Sequence, residues 1–292
     1  MITTKDVFIW TEIYNCGKIG KIALESFRKH HPGIKVHVYG TQKDFTCLNH
    51  DLLLEFHDIS LQIQEGFKQG HLGTAMLWAN LIQLRSEQYM LHFDSDVIFR
   101  QECVSDIING FNNGHSLVGP MRNYINNPNN RDDVRHLQDI TQTYFFGFDR
   151  SKIKHYSYDV LVPMCRGTYN PYGHPVIDFF DPVQFDIVYN GGAVYILKQE
   201  DFGSCDFEGR RAVGLFAEEN RHMDFGHKIC HFSAVGSGMN FYNNGSGFVP
   251  TSYSNYAKER YALYNKIFYN ETINIPIDEE KYKAILAVKD WM

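Results

Sequence analysis

The chain has 292 residues, 43% hydrophobic and 21% charged, the balance of a soluble globular protein with a substantial core. That length fits one large α/β domain or two small ones. A net charge of −6 with no basic block argues against a nucleic-acid backbone as partner, and no window reaches the ~18 apolar residues of a membrane span.

"DVFIWTEI", ending at Ile13, reads as a buried first strand. "KIALESFRKHH" follows with helical apolar spacing and stops at Pro32-Gly33, and "IKVHVYGT" reads as a second strand of alternating character. Strand, helix, strand is the start of a parallel sheet with a right-handed crossover. Such sheets bind ligands beyond the carboxyl ends of their strands, here Trp10, Thr11 and Glu12 on the first strand and Tyr39 to Thr41 on the second.

"GTAMLWANLIQLRSEQ" predicts a long helix and "YMLHF" the next strand, which ends on Asp94-Ser95-Asp96. The stretch from Gly110 to Arg135 is rich in Asn, Gly and Pro and reads as loop. "TYFFGFDRSKI" predicts a strand and turn. Residues 163–183 read as an irregular aromatic loop, and "FDIVYNGGAVYIL" as a strand interrupted at Gly191 and Gly192. "FAEENRHMDFGHK" reads as a short helix, "KICHF" as a strand, and two helices close the chain. The sequence has no internal repeat. We read residues 1–250 as a catalytic domain and 251–292 as a helical extension packed on it.

The six cysteines form no CxxC pair, so neither a zinc knuckle nor a disulfide framework is expected. The first ten residues lack the pattern of a signal peptide. Both features fit a soluble cytoplasmic protein.

Two aspartates at the end of an apolar strand repel each other and are costly to desolvate unless a cation or donors compensate. An i, i+2 spacing on extended backbone points both carboxylates the same way, and hard oxygen ligands suit Mg²⁺ or Mn²⁺. The competing reading is a turn or helix cap. His231, ending a strand before a Gly/Ser-rich loop, would complete a Mn²⁺ set, although a lone His in an apolar strand is more often a core residue. Glu218 and Glu219 open a short helix, where they serve either as dipole partners or as a general base. His71 and Gly73 precede a helix whose first N–H groups could bind phosphate, or they form an ordinary loop and cap.

These features, in this order, resemble those of GT-A-fold, metal-dependent, nucleotide-sugar glycosyltransferases. Asp94-Ser95-Asp96 with its apolar strand is similar to that family's Asp-x-Asp motif. "HLGTAMLWANLIQLRSEQ" is similar to the helix leading into it, and "NGGAVYIL" with Glu218-Glu219 resembles the Gly-Gly strand and acidic motif of inverting members. The resemblance spans residues 6–240. It implies a mixed, mostly parallel sheet flanked by helices in one α/β domain. It also implies Mn²⁺ or Mg²⁺ on Asp94, Asp96 and His231, and a carboxylate base at Glu218 or Glu219. A nucleotide-sugar donor, UDP- ahead of GDP-linked, would lie against Trp10, Thr11, Glu12, Tyr39, His71, Gly73 and Ser95. Asn190, Gly191 and Gly192 would flank the donor sugar and a glycan or small hydroxyl acceptor. The alternatives are a retaining transferase, a nucleotidyltransferase and a non-catalytic sugar-binding protein on the same fold.

Overall fold

The computed structural model describes residues 1–49, 51–60, 72–120, 140–173 apart from 142, 176, 179–197, 228–232 and 251–277, with 279 and 282. The first strand, β1 (Val7–Ile13), is buried along almost its whole length. A strand apolar on both faces belongs inside a sheet covered on both sides. Helix α1 (Gly17–His30) buries Ile19, Ala23, Leu24 and Phe27, the i, i+4, i+5, i+8 stripe its sequence carries. Strand β2 (Val36–Gly40) is buried at all five positions, so its alternating character does not become alternating exposure. A single turn, α2 (Gln42–Phe45), leads to the edge strand β3 (Leu54–Asp58).

Helix α3 (Leu72–Leu84) delivers β4 (Tyr89–Phe93). A turn then opens the short β5 (Val97–Phe99), followed by α4 (Val104–Asn112), β6 (Leu117–Pro120) and β7 (Phe145–Asp149). Two helices come next, α5 (Tyr158–Arg166) and α6 (Asp181–Tyr189), then β8 (Val194–Leu197), β9 (Ile229–His231) and α7 (Thr251–Phe268). The main sheet has seven strands in the order β3-β2-β1-β4-β7-β6-β8, and β5 pairs with β9 in a separate two-stranded sheet. Only β7 runs against its neighbours in the main sheet. The architecture is therefore the mixed, mostly parallel α/β sheet expected from the sequence.

Two apolar layers cover the sheet. On one side Ile9, Ile13, Phe27, Val38, Leu91 and Phe93 pack with Tyr261, Leu263, Tyr264 and Ile267 of α7, so that helix shares the core of the sheet. On the other side Phe8, Trp10, Trp78, Phe146, Phe148 and Phe180 build an aromatic layer under α3 and α6. Trp78 lies edge-on to Trp10, Phe179 and Phe180 with ring centroids 4.7–5.5 Å apart, the favoured offset for aromatic pairs.

Three sequence-based expectations are corrected. The segment 163–183 is not wholly irregular: its first residues finish α5 and its last open α6. "FDIVYNGGAVYIL" is a helix, a turn and a strand. Its β-branched run reads as a strand, but Asp181-Pro182 starts a helix that is buried all round from Asp181 to Ile187, with Val183, Phe185 and Ile187 in the aromatic layer. The paired glycines end that helix. Gly191 adopts φ +76°, and the N–H groups of Gly191 and Gly192 close on the carbonyls of Val188 and Ile187. Within the presumed loop after Gly110, Leu117–Pro120 form strand β6.

Gly147, in β7, lies flush against α4, where a Cβ would strike Ile107 and Phe111 and press on the Met90 carbonyl. Gly147→Ala is expected to lower stability by about 1–3 kcal/mol, the usual cost of overpacking. Urea unfolding would measure it, with Gly33→Ala as the contrasting variant: a Cβ there meets nothing, so its cost is only that of the left-handed backbone at φ +84°, about 1–2 kcal/mol.

Candidate functional site

Strand β4 is flanked by β1 and β7, and Asp94 follows its last residue at the carboxyl edge. The Asp94 N–H donates to the Tyr144 carbonyl at 2.8 Å, and the Val97 N–H closes a turn onto the Asp94 carbonyl at 3.2 Å. The carboxylates thus converge through a turn rather than along extended backbone. Ser95 points elsewhere, with its Oγ 3.4 Å from Cys16 Sγ. The Phe232 N–H donates to the Asp96 carbonyl, and the β5–β9 pairing sets His231 opposite Val97. Those contacts bring His231 Nε2 to 3.3 Å from Asp96 Oδ1 and 3.7 Å from Asp94 Oδ2. The ring stacks on Tyr144, centroids 4.2 Å apart.

Two carboxylates and one imidazole now converge, their ligand atoms all within 4.8 Å of one another. The Asp94 side chain is 41% exposed while those of Asp96 and His231 are 12% and 10% exposed. The cluster is held from below and open to solvent on one side. Nδ1 of His231 is buried without a hydrogen-bond partner among the described residues, which leaves Nε2 as the nitrogen facing the carboxylates. Two hard oxygens and one imidazole nitrogen fit Mn²⁺ or Mg²⁺, with positions left for external ligands.

Around this edge the other residues divide. Glu12 ends β1 beside Tyr39 of β2. Its carboxyl accepts the Trp78 indole N–H and is pushed up to about 8 by burial, which outweighs the opposing hydrogen bonds from Trp78 and Thr74. At neutral pH it is a protonated acid and a hydrogen-bond donor. Tyr39 is buried and stacks on His57, centroids 4.5 Å apart. Trp10 belongs to the core, not the ligand edge: its indole is covered by Trp78, His92 and Phe148. Thr11 is equally buried, on the other face of the strand. Gly73 lies buried in the first turn of α3. His71, Glu218 and Glu219 lie outside the described residues.

Asn190, Gly191 and Gly192 are not brought to the site. Val194 of β8 lies opposite Leu117, Leu117 opposite Phe148, and Phe148 opposite Met90. Because β8 is parallel to β4, the segment before Val194 is at the amino edge of the sheet. Asp94 leaves by the carboxyl edge, ~15–20 Å away at strand rise. Their donor-sugar role is therefore withdrawn in favour of the helix-ending turn described above.

The sequence analysis missed Asp44. From α2 its carboxylate reaches back to accept the N–H groups of Asn15, Cys16 and Gly17 at 3.0–3.2 Å. It caps α1 and carries negative charge to the positive end of that helix. Those N–H groups are occupied, so a phosphate would find its donors elsewhere. The signal was "TQKD", whose Thr41 and Asp44 form a capping box, but nothing local revealed that the same carboxylate spans to α1. Cys16, beside it, has its thiol pushed up to about 12 by burial, and the charges of Asp44 and Asp96 add to that shift.

No protein-family profile matches the sequence, and no curated protein sequence matches it. Solved structures do. A galactosyltransferase, LgtC, in complex with donor and acceptor sugar analogues superposes with a TM-score of 0.52 at 12% identity. The match covers 84% of this chain and 98% of that one. An active-site mutant of LgtC gives the same values. Mouse xyloside xylosyltransferase 1 in its apo form gives a TM-score of 0.48 at 12% identity, covering 77% of this chain and 97% of that chain. The fold of this chain is thus the GT-A fold of glycosyltransferases. Among the described residues no helix is long and apolar enough to cross a membrane.

The Glu12 carboxyl gives a stability signature with a definite sign. Unfolded, it ionises near 4.5; folded, near 8. Folding takes up a proton between those values, so the Glu12 contribution falls as pH rises from about 4.5 to about 8 and then levels off. Glu12→Gln, which resembles the protonated acid, is expected to remove that slope. It should be more stable than the parent at pH 8 by more than about 1.4 kcal/mol, the equivalent of one pKa unit. Chemical unfolding at pH 5, 6.5 and 8 measures both effects.

Proposed function

We propose that this protein is a divalent-metal-dependent glycosyltransferase, moving a sugar from a nucleoside-diphosphate donor to a hydroxyl of a glycan or small acceptor. The observation that carries this reading is the convergence of Asp94, Asp96 and His231 at the carboxyl edge of a GT-A sheet. Mn²⁺ is favoured over Mg²⁺ by the imidazole in the set. When bound, the ion supplies Lewis-acid neutralisation of the leaving diphosphate.

The chain's own residues do the rest. Asp94, Asp96 and His231 hold the ion. Asp96 and His231 are fixed by the Phe232 hydrogen bond and the Tyr144 ring, while Asp94 faces the donor. Ser95, whose hydroxyl lies beside Cys16 Sγ, is assigned to the border of the nucleotide. Glu12, protonated, offers an O–H to a ribose or base acceptor atom, with Tyr39 beside it. His71 and Gly73, at the start of α3, are assigned to phosphate. A UDP-linked donor is favoured over a GDP-linked one. Glu218 or Glu219 is assigned as the base that takes the proton from the acceptor hydroxyl as it attacks the anomeric carbon, which inverts that centre.

Calorimetry of UDP and GDP, with and without Mn²⁺, tests the reading on the parent and on Asp96→Asn. One nucleotide is expected to bind the parent with Mn²⁺, and at least tenfold more weakly without the ion or in the variant. Binding of neither nucleotide would overturn the proposal. Glu218→Gln and Glu219→Gln separate the stereochemical courses. A base should cost about 10²–10⁴-fold in turnover while leaving nucleotide affinity intact, whereas undiminished turnover in both would reassign the transfer as retaining.

A further inference from the structure

At one edge of the sheet, His37, Glu55 and His57 meet on one face of the pair β2–β3. Register explains the meeting: His37 is opposite Glu55, and Tyr39 is opposite His57, so all four side chains share a face. His37 Nδ1 lies 3.0 Å from His57 Nε2. Glu55 Oε2 lies 3.7 Å from His37 Nδ1, and Oε1 lies 3.4 Å from His57 Nε2. Three ligand-type atoms, one from each residue, fall within 4.8 Å of one another.

We propose that His37, Glu55 and His57 form a second metal site, for Zn²⁺, separate from the Asp94–Asp96–His231 cluster. Zinc bonds of 2.0–2.1 Å in tetrahedral geometry separate the ligand atoms by ~3.3 Å. The His37–His57 edge of 3.0 Å and the His57–Glu55 Oε1 edge of 3.4 Å bracket that value; the Glu55 oxygen nearest His37 is Oε2, at 3.7 Å, so the third edge closes with a turn of the carboxylate. Two nitrogens and one carboxylate oxygen are a zinc set that leaves a fourth position for water. The site differs in chemistry from the first: it has two imidazoles where the other has two carboxylates, which favours zinc over magnesium.

The surroundings hold the ligands in place. The His37 ring packs on Phe8, centroids 4.5 Å apart, and the His57 ring packs on Tyr39. Lys35 pairs with Glu55 through Oε2, which leaves Oε1 on the His57 side. Burial lowers both imidazoles, His37 to about 4. The nearby Arg85 guanidinium adds to that depression. A bound ion would hold His57 beneath the Tyr39 ring.

The bland alternative is a hydrogen-bonded His–His–Glu group stabilised by Lys35. Zinc titration against a chromophoric chelator distinguishes the two. It is best done in the Asp96→Asn protein, where the first cluster is impaired. One Zn²⁺ per chain is expected there, with affinity reduced at least 100-fold on adding His57→Gln. Glu55→Gln, on a half-exposed side chain, is the companion variant and should weaken binding at least tenfold. Circular dichroism confirms that each variant is folded. Replacement by Co²⁺ should give the intense visible bands of a tetrahedral ion in Asp96→Asn, lost with His57→Gln. Absence of stoichiometric zinc in Asp96→Asn, or its undiminished retention with His57→Gln, would overturn the proposal.

Discussion

The structure depends on the turn from Asp94 to Val97. Here one chain leaves the seven-stranded sheet and enters the two-stranded one. Each side of the turn is fastened to a different neighbour, Asp94 to the Tyr144 carbonyl and Asp96 to the Phe232 N–H. Backbone hydrogen bonds of this kind contribute only about 1 kcal/mol each, but together they fix where two like charges point. Displacing either strand would separate His231 from the carboxylates. The geometry of the cluster is thus a property of two sheets meeting, not of a local motif.

Near that turn burial favours the neutral form of two ionisable groups. His92, between Trp10 and Trp78, is lowered to about 3 by burial and places Nδ1 3.1 Å from the Thr143 carbonyl. Glu12 is raised by the same cause, acting on the opposite sign of charge. Asp44 is the contrast: a buried carboxylate surrounded by N–H groups and the Thr41 hydroxyl. Among the described residues Asp94 and Asp96 are the carboxylates that meet an imidazole there, whereas the Asp44 carboxylate is taken up by N–H groups.

The sequence made the fold legible where one pattern governs one element. The apolar run into β1, the helical stripe of α1 and the strand ending at Asp94 follow directly from periodicity and position. His231 was reachable because it ends an apolar strand. Elements failed where two signals conflicted. In α6 the β-branched Ile187 and Val188 mimic a strand, and the Asp181-Pro182 start was the better guide. Strand β6 was hidden because Gly119 and Pro120 resemble loop residues, yet the whole strand is buried. Asp44 and the His37–Glu55–His57 group depend on registers and contacts between elements. No reading of neighbours along the chain contains that information.

Helix α7 carries a consequence for how the protein is made. The Tyr264 hydroxyl donates to the Ile19 carbonyl across 245 residues of sequence, and the Tyr269 hydroxyl donates to the Lys18 carbonyl across 251. The first turn of α1 is therefore completed by a segment made 245–251 residues later. At ribosomal rates of ~5–20 residues per second, that delay is about 12–50 s. Until then the carbonyls of Lys18 and Ile19 lack their tyrosine donors, and contacts so distant along the chain close slowly. A nascent chain of this design holds the first turn of α1, which borders the aspartate turn through Cys16 and Ser95, without its tyrosine clamp until α7 emerges.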